Sequence, residues 1–560
     1  MEYRPVKKEI LTPPIRISLL VDSTITSKYV YDLCDWAVKS NVIQIDHIII
    51  QEKPMLNLSR VNKLYQIFRK RGWEEMLAEV TFSLLVKFEM KLLKRYTSHA
   101  DHLDQFDLSA LKIKTLTLTP KISKNALIHE FSDEDVEKVE NLKLDVLVRC
   151  GSGILEGKIL SSAKFGIVSF HHGDNRVNRG GPAGFWEIFL RQAKTGFTIQ
   201  QLTRELDGGN VLMRGNFSTK RFFLLNQASL QLKSNFYMKL VLEKIAEGGA
   251  LEFEESIPYY NPLYRKPKIL VQVLYFYRTS LLNAGILLKR LRKRKEIWGV
   301  SFLRGNWHSL VMRKAIQIEN PKNHFLADPF VLTVDHETFC FVEDFDLKQR
   351  KGSIAVYSLE DRKAKRIGNI IEENFHMSFP FVFKDGSQIY MCPESSANRD
   401  IRLYECIEFP KIWKLKSILM KDVDAADTVI VKYSDLWWLI TNIDPVNTGD
   451  HSSEMFIFYS DDLFAQSWTP HQKNPIYIDP TKARNGGLVF DENSIYRVSQ
   501  NYGFNTYGES SSINKVVELS ESQFKEKSIV TLLANFYPKL VGTHSLNSDA
   551  SFTVFDFLHK

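Results

Sequence analysis

Five related segments recur along the second half of the chain. Each contains a strand entry, a short turn and a second strand rich in aromatic residues; the copies lie at 325–344, 375–394, 423–442, 483–501 and, in part, 543–557. Hairpin repeats at intervals of roughly 50 to 60 residues are typical of propeller blades. The sequence therefore predicts an all-β, five-bladed propeller over 301–560, with two packed sheets as the alternative.

The first half has a different hydrophobic pattern, in which short apolar runs alternate with segments of helical periodicity. Runs that we interpret as strands lie at 15–22, 42–50, 144–150 and 166–172. A helical pattern at 27–39 separates the first two, and strand, helix and strand on this spacing predict a βαβ unit of a parallel sheet. We therefore expect an α/β, Rossmann-like domain over 1–255.

A basic helical linker is expected at 256–300, between the two predicted domains. Apolar residues recur at helical spacing from Lys266, and the segment ends in LLKRLRKRK at Lys295. One interpretation is a linker helix whose solvated basic end suits the helix dipole. The other is a peripheral contact of 285–295 with a membrane surface or anionic lipid. Polar residues within the most apolar stretch, 269–288, argue against a membrane-spanning helix.

Composition indicates an ordinary globular protein. The 560 residues are 44% hydrophobic and 25% charged, and the net charge is +8. A nucleic-acid partner is not expected, because it would need this charge gathered on one face. The five cysteines show no C-x-x-C spacing, so we expect a reducing compartment and no structural zinc. The first 14 residues carry charges and prolines where a signal peptide needs an apolar run, and the expected location is the cytoplasm.

The densest group of chemically capable side chains follows the fourth predicted strand. That strand brings Ser169, His171 and His172 to its carboxyl end, the edge at which α/β sheets bind ligands. A polar, glycine-rich loop follows at 173–181, and a further strand leads to a turn at Asp207. Because side chains alternate along a strand, we expect His172 on the opposite face from His171, in the core or behind the site.

This stretch resembles the formyltransferase family that includes methionyl-tRNA, glycinamide ribonucleotide and sugar-nucleotide formyltransferases. The family pattern is Asn-x-His, a loop that ends in Arg-Gly and a Pro, and a downstream Leu-Asp-x-Gly turn. His171, Arg179-Gly180, Pro182 and Asp207 match it at a similar spacing. The resemblance also implies that an upstream segment lines a folate pterin pocket with its backbone: Cys150, Gly151, Ser152, Gly153 and Ile154.

The resemblance implies transfer of a formyl group from 10-formyltetrahydrofolate to an amine. His171 would polarise the formyl oxygen, because the developing oxyanion needs a preorganised donor. Asp207 would orient the imidazole and help to accept the amine proton. Arg179 and Gly180 would organise the loop or hold an anionic substrate. As alternatives, Arg179 pairs with a surface carboxylate, and Asp207 is only a turn residue.

One position departs from the family pattern, because Ser169 stands where the family has asparagine. A hydroxyl donates one hydrogen bond from a shorter arm and cannot donate and accept as an amide does. Either Asn175 or Asn178 takes the place of that amide, or water bridges the gap, or the chemistry has changed. Loss of one oxyanion donor typically costs on the order of 10²–10³ in rate.

The repeats resemble the propellers of arabinanase- and levansucrase-like glycoside hydrolases and, more closely, the N-terminal domain of glucosamine inositolphosphorylceramide transferases. Asp328 matches the first-blade aspartate that bears the base in the hydrolases, and Asp427 lies where a later blade carries a second aspartate. The next blade has Arg484 near the place of the glutamate acid. Glu343 and Glu394 are other carboxylates away from that position, and glycosidic cleavage ordinarily needs two.

We expect a sugar-handling site at the propeller axis, to which Asp328, Asp427, Arg484, Trp437 and Trp438 contribute; alternatively, the aspartates only cap their blades. By association, the resemblances imply that the formyl acceptor is an amino sugar, either free, nucleotide-linked or lipid-linked. Two other functions stay open. One is a glycosidase or sugar transferase acting through the propeller, and the other is a non-catalytic glycan-binding protein with a degenerate first half.

Overall fold

A computed structural model describes residues 13–52, 65, 68–69, 72–95, 100–123, 127–204, 209–248, 251–255, 258–259, 261–291, 297–491 and 494–560. The described residues up to Ala284 form one compact unit, and those from Gly285 onward form another. The division falls inside a single helix, within the segment that the sequence predicts to be a linker.

A seven-stranded sheet forms the centre of the first unit. The strands of this unit are β1 (Ile15–Val21), β2 (Ile25–Ser27), β3 (Ile43–Gln51), β4 (Gln105–Asp107), β5 (Lys114–Leu118), β6 (Lys121–Ile122), β7 (Ile128–Glu130), β8 (Val146–Arg149), β9 (Ile154–Glu156), β10 (Ile167–His171), β11 (Arg179–Gly180), β12 (Lys194–Gln201), β13 (Asn210–Ser218) and β14 (Leu263–Tyr264). The sheet order is β13-β12-β10-β8-β1-β3-β5. The five strands from β10 to β5 run parallel. Strand β12 runs antiparallel to both of its neighbours, β10 and β13.

This topology confirms the predicted α/β, Rossmann-like fold. The chain passes from β1 to β3 on one side and later returns to β8 on the other. Parallel sheets bind ligands at such a switch point, in the crevice beyond the carboxyl ends of the strands. The candidate residues of β8 and β10 therefore lie at the edge where a site is expected.

The described helices are α1 (Lys28–Lys39), α2 (Trp73–Leu93), α3 (Asp133–Glu140), α4 (Phe185–Phe189), α5 (Phe223–Ala246) and α6 (Ile269–Leu291), with 3₁₀ turns at Ala100–Leu103, Leu108–Leu111, Lys158–Ser161, Trp307–Ser309, Met312–Lys314 and Ser396–Asn398. The start of helix α3 follows from its sequence. The Ser132 hydroxyl accepts a hydrogen bond from the backbone N–H of Asp135. Three acidic residues occupy the first turn, where the positive end of the helix dipole stabilises negative charge. No helix among these combines the length and apolarity that a bilayer span requires.

Apolar side chains of the sheet pack against the helices. Leu20 and Leu147 belong to one buried cluster with Val136 and Val139 of α3. The antiparallel hairpin buries Phe197, which stacks on Tyr237 of α5 at 5.1 Å between ring centroids. These contacts hold the strands that carry the candidate site in a fixed register.

Five antiparallel sheets make up the second unit. Their strands are, in blade I, β17 (His324–Val334), β18 (Glu337–Asp346), β19 (Lys351–Glu360) and β20 (Lys363–Ile371); in blade II, β21 (Ser378–Asp385), β22 (Gln388–Glu394), β23 (Asp400–Glu408) and β24 (Ile412–Lys421); in blade III, β25 (Ala425–Tyr433), β26 (Leu436–Ile443), β27 (Glu454–Ser460), β28 (Thr469–Pro470) and β29 (Tyr477–Ile478); in blade IV, β30 (Asn485–Asp491), β31 (Ser494–Gly503), β32 (Thr506–Leu519) and β33 (Phe524–Leu533); and in blade V, β15 (Ile297–Arg304), β16 (Ile316–Ile318), β34 (Leu540–Gly542), β35 (Leu546–Ser548) and β36 (Phe552–His559).

The five sheets close into a ring, which confirms the predicted propeller. Strands β17, β21, β25, β30 and β35 each contact the next, and β35 contacts β17 again, so these strands are innermost. Blade V combines both ends of the unit, because β15 pairs with β36 from Ile297↔His559 to Arg304↔Phe552. This pairing places the first and last strands of the unit in one blade, which contacts blade I and so closes the ring.

Candidate functional site

The carboxyl ends of β8 and β10 line a cavity in the first unit. The parallel register places Ser169 directly beside Arg149, and His171 lies two residues further along the same face of β10. These three side chains line a cavity of about 190 Å³, to which Gly153 and Ile154 also contribute. The structure thus brings together two predicted catalytic residues, Ser169 and His171, and adds a cation.

Arg149 is the functional candidate that sequence analysis missed. It is buried, with 9% of its surface exposed, and its guanidinium donates a hydrogen bond to the carbonyl of Gly153. Its Nε has no hydrogen-bond partner among the residues that the structure describes. Burial lowers the pKa of Arg149, and Asp22 opposes the shift; an arginine remains a cation in proteins. The only signal in the sequence is one charged residue near the end of an otherwise apolar strand.

The residues expected to line a pterin pocket divide into two groups: Gly153 and Ile154 line the cavity, whereas Cys150, Gly151 and Ser152 are outside its described lining. Asp22, at the end of β1, holds this turn. Its carboxylate accepts the backbone N–H of Ser152 at 3.2 Å and the Ser152 hydroxyl at 2.6 Å. Burial raises the pKa of Cys150 to about 12, so its thiol is neutral and is not an activated nucleophile.

Gly153 occupies a position in this turn where the structure has no room for a side chain. Its φ is +87°, and an added Cβ would lie 2.5 Å from the ring of His129. The imidazole of His129 lies 3.3 Å from Oε1 of Gln51, whose amide nitrogen donates to the carbonyl of Ser152 at 2.9 Å. The turn is therefore supported from the ends of β3 and β7, and only glycine allows the close approach.

His172 lies on the other face of β10, as the alternation of side chains predicts. Its ring stacks on Phe170 at 5.4 Å and meets the edge of Tyr29 at 5.2 Å between centroids. Burial lowers the pKa of His172 to about 4, and His171 adds to the shift. His172 is therefore a neutral packing residue near neutral pH.

The loop after β10 is anchored by a buried carboxylate. Asp174 accepts the backbone N–H and the guanidinium of Arg176, and its Oδ1 lies 3.7 Å from Arg214. Asn178 donates its amide to Gln192 at 2.6 Å. The side chain of Asn175 is buried, and its Oδ1 lacks a hydrogen-bond partner among the described residues. Neither asparagine is part of the described lining of the cavity, and a role for either in place of the amide stays a prediction.

Arg179 and Gly180 form the short strand β11. They pair in parallel with Leu263 and Tyr264 of β14. Gly180 has a φ of +92°, and an added Cβ would lie 2.0 Å from the carbonyl oxygen of Tyr264. This backbone pairing holds the loop, which fits the organising role expected of the Arg-Gly pair.

Asp207 lies outside the described residues, together with Leu206 and Gly208. The next residue, Gly209, lines the cavity beside Gln200. The role of Asp207 as the partner of His171 therefore stays a prediction.

The inner strands of the propeller share an unusual backbone feature. Strands β17, β21 and β25 each have a bulge near their start. The residues there are Asp328, Phe379 and Asp427, with φ values of 48°, 46° and 49°. Positive φ is uncommon outside glycine, and bulges redirect side chains. Two of the repeats thus present a carboxylate at equivalent places around the axis.

Arg484 links the carboxylates of different blades. Its Nε donates to Oδ2 of Asp427 at 2.6 Å, and its guanidinium lies 3.8 Å from Glu394 and 5.0 Å from the ring centre of Tyr507. Gln500 donates to the same oxygen of Asp427 at 2.8 Å. Asp427 and Arg484, both predicted for the axis, therefore meet, and Glu394 lies beside them.

Asp328 belongs to a chain of buried polar groups. It accepts the Ser545 hydroxyl at 2.8 Å and lies 3.7 Å from Nε2 of His544, whose Nδ1 pairs with Asp556. Trp298 stacks on His544 with ring centroids 4.0 Å apart. Sequence patterns do not reveal His544, Asp556 and Trp298 as members of this group, because they reach the axis only when β15 and β36 close the ring.

The crowded carboxylates hold protons more tightly than usual. Burial raises the pKa of Asp328 and of Asp427 to about 6. Burial, together with Asp328 and Glu394, raises the pKa of Glu343 well above its ordinary value. Burial opposes the charged form of His544, but Asp556 and Asp328 raise its pKa nonetheless. The axis therefore offers proton donors and acceptors near neutral pH.

Trp437 and Trp438 lie away from the carboxylates of the axis, and Trp437 lines a separate cavity with Val331 and Ile430 of the inner strands. The two tryptophans pair with Lys432 and Val431 across β25 and β26, at the opposite end of the blade from Asp427. Trp438 is buried and donates its indole N–H to the carbonyl of Tyr433. Two adjacent aromatic residues suggested a sugar-binding surface, but the antiparallel register places them at the far end of the blade from the carboxylates.

Comparisons with known proteins support a two-part chain. Residues 309–540 match the family described as glucosamine inositolphosphorylceramide transferase 1, N-terminal. A glucosamine inositolphosphorylceramide transferase 1 of Oryza sativa subsp. japonica is 34% identical over 209 residues, which cover 36% of this chain and 28% of that protein. The chain thus spans about a quarter of the length of this relative.

The first half is similar to formyltransferases. A methionyl-tRNA formyltransferase of Bacillus subtilis (strain 168) is 24% identical over 155 residues, which cover 26% of this chain and 45% of that protein. The crystal structure of glycinamide ribonucleotide transformylase 1 from Symbiobacterium toebii has a TM-score of 0.29 at 12% identity and covers 43% of this chain and 92% of its own. The similarity at both ends of the chain agrees with the resemblances seen in its motifs.

Proposed function

We propose that the first unit transfers a formyl group to a primary amine. The observation that carries this proposal is the convergence of Arg149, Ser169 and His171 on one cavity at the carboxyl edge of a parallel sheet. Attack on a formyl carbon develops negative charge on the carbonyl oxygen, and donors that are already in place stabilise it. A guanidinium, a hydroxyl and an imidazole are suitable donors.

In this proposal Arg149 replaces the family asparagine that is missing at Ser169. A charge-assisted hydrogen bond is roughly twice as strong as a neutral one. The buried guanidinium is held by the carbonyl of Gly153, and its Nε is without a partner among the described residues. Arg149 would stabilise the developing charge, and Ser169 would assist it.

His171 and Asp207 would handle the proton of the amine. The imidazole would accept that proton directly or through water, and the carboxylate would orient the ring and favour its charged form. The bond between the formyl carbon and the donor nitrogen would break as the bond to the amine forms, and the departing nitrogen would take up the proton. Arg179 and Gly180 would keep the intervening loop in place through their pairing with β14.

The donor that suits these residues is 10-formyltetrahydrofolate, which supplies the formyl group. The Nε of Arg149, which has no partner among the described residues, is a feature that a bound group would use. A cavity of about 190 Å³ is smaller than the roughly 300–1,000 Å³ of sites that enclose a whole ligand. Gly153 and Ile154 would therefore hold the reacting end of the donor, and the remainder would extend beyond the cavity.

For the acceptor we propose an amino sugar, free, nucleotide-linked or lipid-linked. The match of 309–540 to a family named for a glucosamine transferase acting on inositolphosphorylceramide supports a sugar, and a lipid-linked one in particular. A lipid-linked acceptor would be met at a membrane surface by a cytoplasmic protein.

A second candidate function is sugar binding at the propeller axis. The observation that favours it is the grouping of aromatic faces, Trp298 and Tyr507, with the polar groups of Arg484 and Asp427. Aromatic rings stack on sugars while charged groups fix hydroxyls or amines. In this proposal Arg484 stands in place of a proton-donating acid, so the site retains a sugar without cleaving it.

The formyl transfer is tested by incubating the purified full-length chain with 10-formyltetrahydrofolate and a panel of amino sugars in the three forms. Mass spectrometry should detect the formamide of at least one acceptor. His171→Asn should abolish the product, whereas His336→Asn, at an exposed hairpin turn of the second unit, should leave it unchanged. Absence of product with every acceptor, together with no heat of binding for a folate analogue, would refute the proposal.

The sugar-binding function is tested separately by calorimetry with the same sugars. Trp298→Ala should weaken binding at least tenfold, since aromatic contacts contribute about 1.4 kcal/mol or more in such sites. His171→Asn should leave that affinity unchanged. An affinity that responds to His171→Asn but not to Trp298→Ala would locate the sugar in the first unit instead.

A further inference from the structure

Helices α2 and α6 of the first unit expose an apolar surface that we call the two-helix face. It is defined by Trp73, Leu84 and Phe88 of α2 and by Leu270, Tyr277 and Leu281 of α6, each more than half exposed. Phe88 and Phe276 bring the two helices together, with ring centroids 6.0 Å apart. A contiguous apolar patch on a folded protein marks a surface that binds something.

The exposed apolar residues of each helix are spaced so that they lie on one side of that helix. On α2 the exposed residues Trp73, Leu84 and Phe88 follow intervals of eleven and four, which return to the same side of a helix. On α6, Tyr277 and Leu281 are four residues apart. Both stripes therefore point outward together.

The opposite sides of the same helices are fastened to the unit. Tyr275 donates its hydroxyl to the buried carboxylate of Glu89, which also accepts the backbone N–H of Leu224 at 2.9 Å. Gln272 donates to the carbonyl of Ala78 at 2.9 Å. Because buried polar contacts fix the inner sides, a simple rotation that hides the two-helix face would break them.

Charge distinguishes the possible occupants of this face. The sequence that continues from α6 carries six cations and no acid within 289–295. A cluster of cations that follows an apolar helix in sequence attracts an anionic lipid surface.

We infer that the two-helix face docks the protein on an anionic membrane surface. The apolar side chains would enter the headgroup boundary, Trp73 and Tyr277 would lie at the level where aromatic residues concentrate, and the basic cluster would contact the headgroups. The protein would lie on the bilayer without crossing it, in agreement with Arg278 and Asn283 within α6. This inference does not rest on the proposed formyl transfer.

The test is cosedimentation of the full-length chain with vesicles of phosphatidylcholine alone or mixed with phosphatidylserine. We expect binding to the mixed vesicles, much weaker binding to phosphatidylcholine, and a loss on raising the salt concentration. Leu84→Glu and Leu281→Glu should each reduce the partition coefficient tenfold or more, since burial of one leucine contributes about 1.5–3 kcal/mol.

Matched variants distinguish docking through the two-helix face from non-specific adsorption of exposed apolar residues. Val517→Glu and Leu533→Glu alter apolar residues of the second unit that are 62% and 57% exposed, and they should bind vesicles like the unaltered chain. Lys293→Glu with Arg294→Glu should lower binding to the mixed vesicles about tenfold or more and flatten its salt dependence. Circular dichroism should show each variant folded.

Three results would overturn the inference. The first is no binding to either vesicle type. The second is equal loss of binding in the Leu281→Glu and Leu533→Glu variants. The third is a dimer in light scattering that Leu281→Glu dissociates while vesicle binding stays unchanged, which would assign the face to a second copy of the chain.

Discussion

Arg149 and Ser169 are register partners in adjacent parallel strands, so that a buried cation stands beside the hydroxyl that replaces the family asparagine. The two positions are separated by a loop, a 3₁₀ turn and the whole of β9 in sequence. In the proposed reaction, the guanidinium would compensate electrostatically for the missing amide. The pair is therefore the first place to look for altered chemistry in the formyltransferase-like unit.

Replacing the cation should reduce the rate of formyl transfer. Arg149→Gln keeps a hydrogen-bond donor but removes the charge, and we expect kcat to fall by about 10²–10³, the usual cost of one lost oxyanion donor. Steady-state kinetics with the acceptor identified by mass spectrometry measure this. The matched variant Lys158→Gln, at an exposed cation of the same unit, should retain full activity. An Arg149→Gln enzyme with normal kcat would exclude this role for the guanidinium.

Two glycines with the same φ allow the effect of the contact between Gly153 and His129 to be measured separately from backbone strain. Gly153 and Gly72 both have a φ of +87°, but only Gly153 has a side chain, His129, in the space of an added Cβ. Gly72→Ala should cost about 1–2 kcal/mol of unfolding free energy through backbone strain alone. Gly153→Ala should cost about 1–3 kcal/mol more, the range for overpacking. Urea denaturation gives both values, and equal losses would contradict the contact.

The axial ion pair should contribute far more to stability than a surface pair. Asp427→Asn leaves the buried guanidinium of Arg484 without its closest anion, and removal of one buried partner costs about 3–5 kcal/mol. Asp361→Asn removes an exposed partner of Arg304 and should cost less than about 1 kcal/mol. Thermal and urea unfolding of the two variants at pH 7.5 provide the comparison. Similar small losses would mean that Glu394 alone satisfies Arg484.

Protonation of Asp328 should make the unfolding free energy of the protein depend on pH. Burial raises its pKa from 3.8 to about 6, so the folded state binds the proton more tightly than the unfolded chain. Its favourable contribution is present below about pH 3.8 and is lost as the pH rises through about 6. The raised pKa of His544 acts in the same direction. The unfolding free energy of the native chain, minus that of Asp328→Asn, should therefore fall between pH 4 and 6.

Urea denaturation of both proteins at closely spaced pH values checks this. The difference should level off above about pH 7, where Asp328 is ionised in both states. A difference that stays constant across the range, or that rises with pH, would show that Asp328 is not shifted upward.

Local patterns predicted the features that depend on neighbouring residues. The alternation along β10 separated His171 from His172, and both the cavity lining and the stacking of His172 on Phe170 agree with that separation. The repeats placed Asp328 and Asp427 at equivalent positions, and both residues adopt the same positive φ at a bulge. These features follow from the period of a strand or of a blade.

Features that depend on register could not be predicted in the same way. Trp437 and Trp438 were expected at the axis, whereas Arg149, His544 and Asp556 were not singled out in the sequence. Which strands become neighbours, and which residue faces which, depends on long-range pairing. A shift of one residue would turn every side chain to the other face.

The amino-acid sequence was sufficient to predict that one half alternates strands with helices around a loop that follows His171, and that the other half repeats a hairpin five times. It was sufficient because hydrophobic period and turn chemistry are local properties of the chain. Only the tertiary structure decided which polar groups share a cavity: the guanidinium of Arg149 beside Ser169, and the carboxylates of separate blades around Arg484. The reason is that electrostatic interactions act through space, and distance in space is fixed by strand register and ring closure rather than by position along the chain.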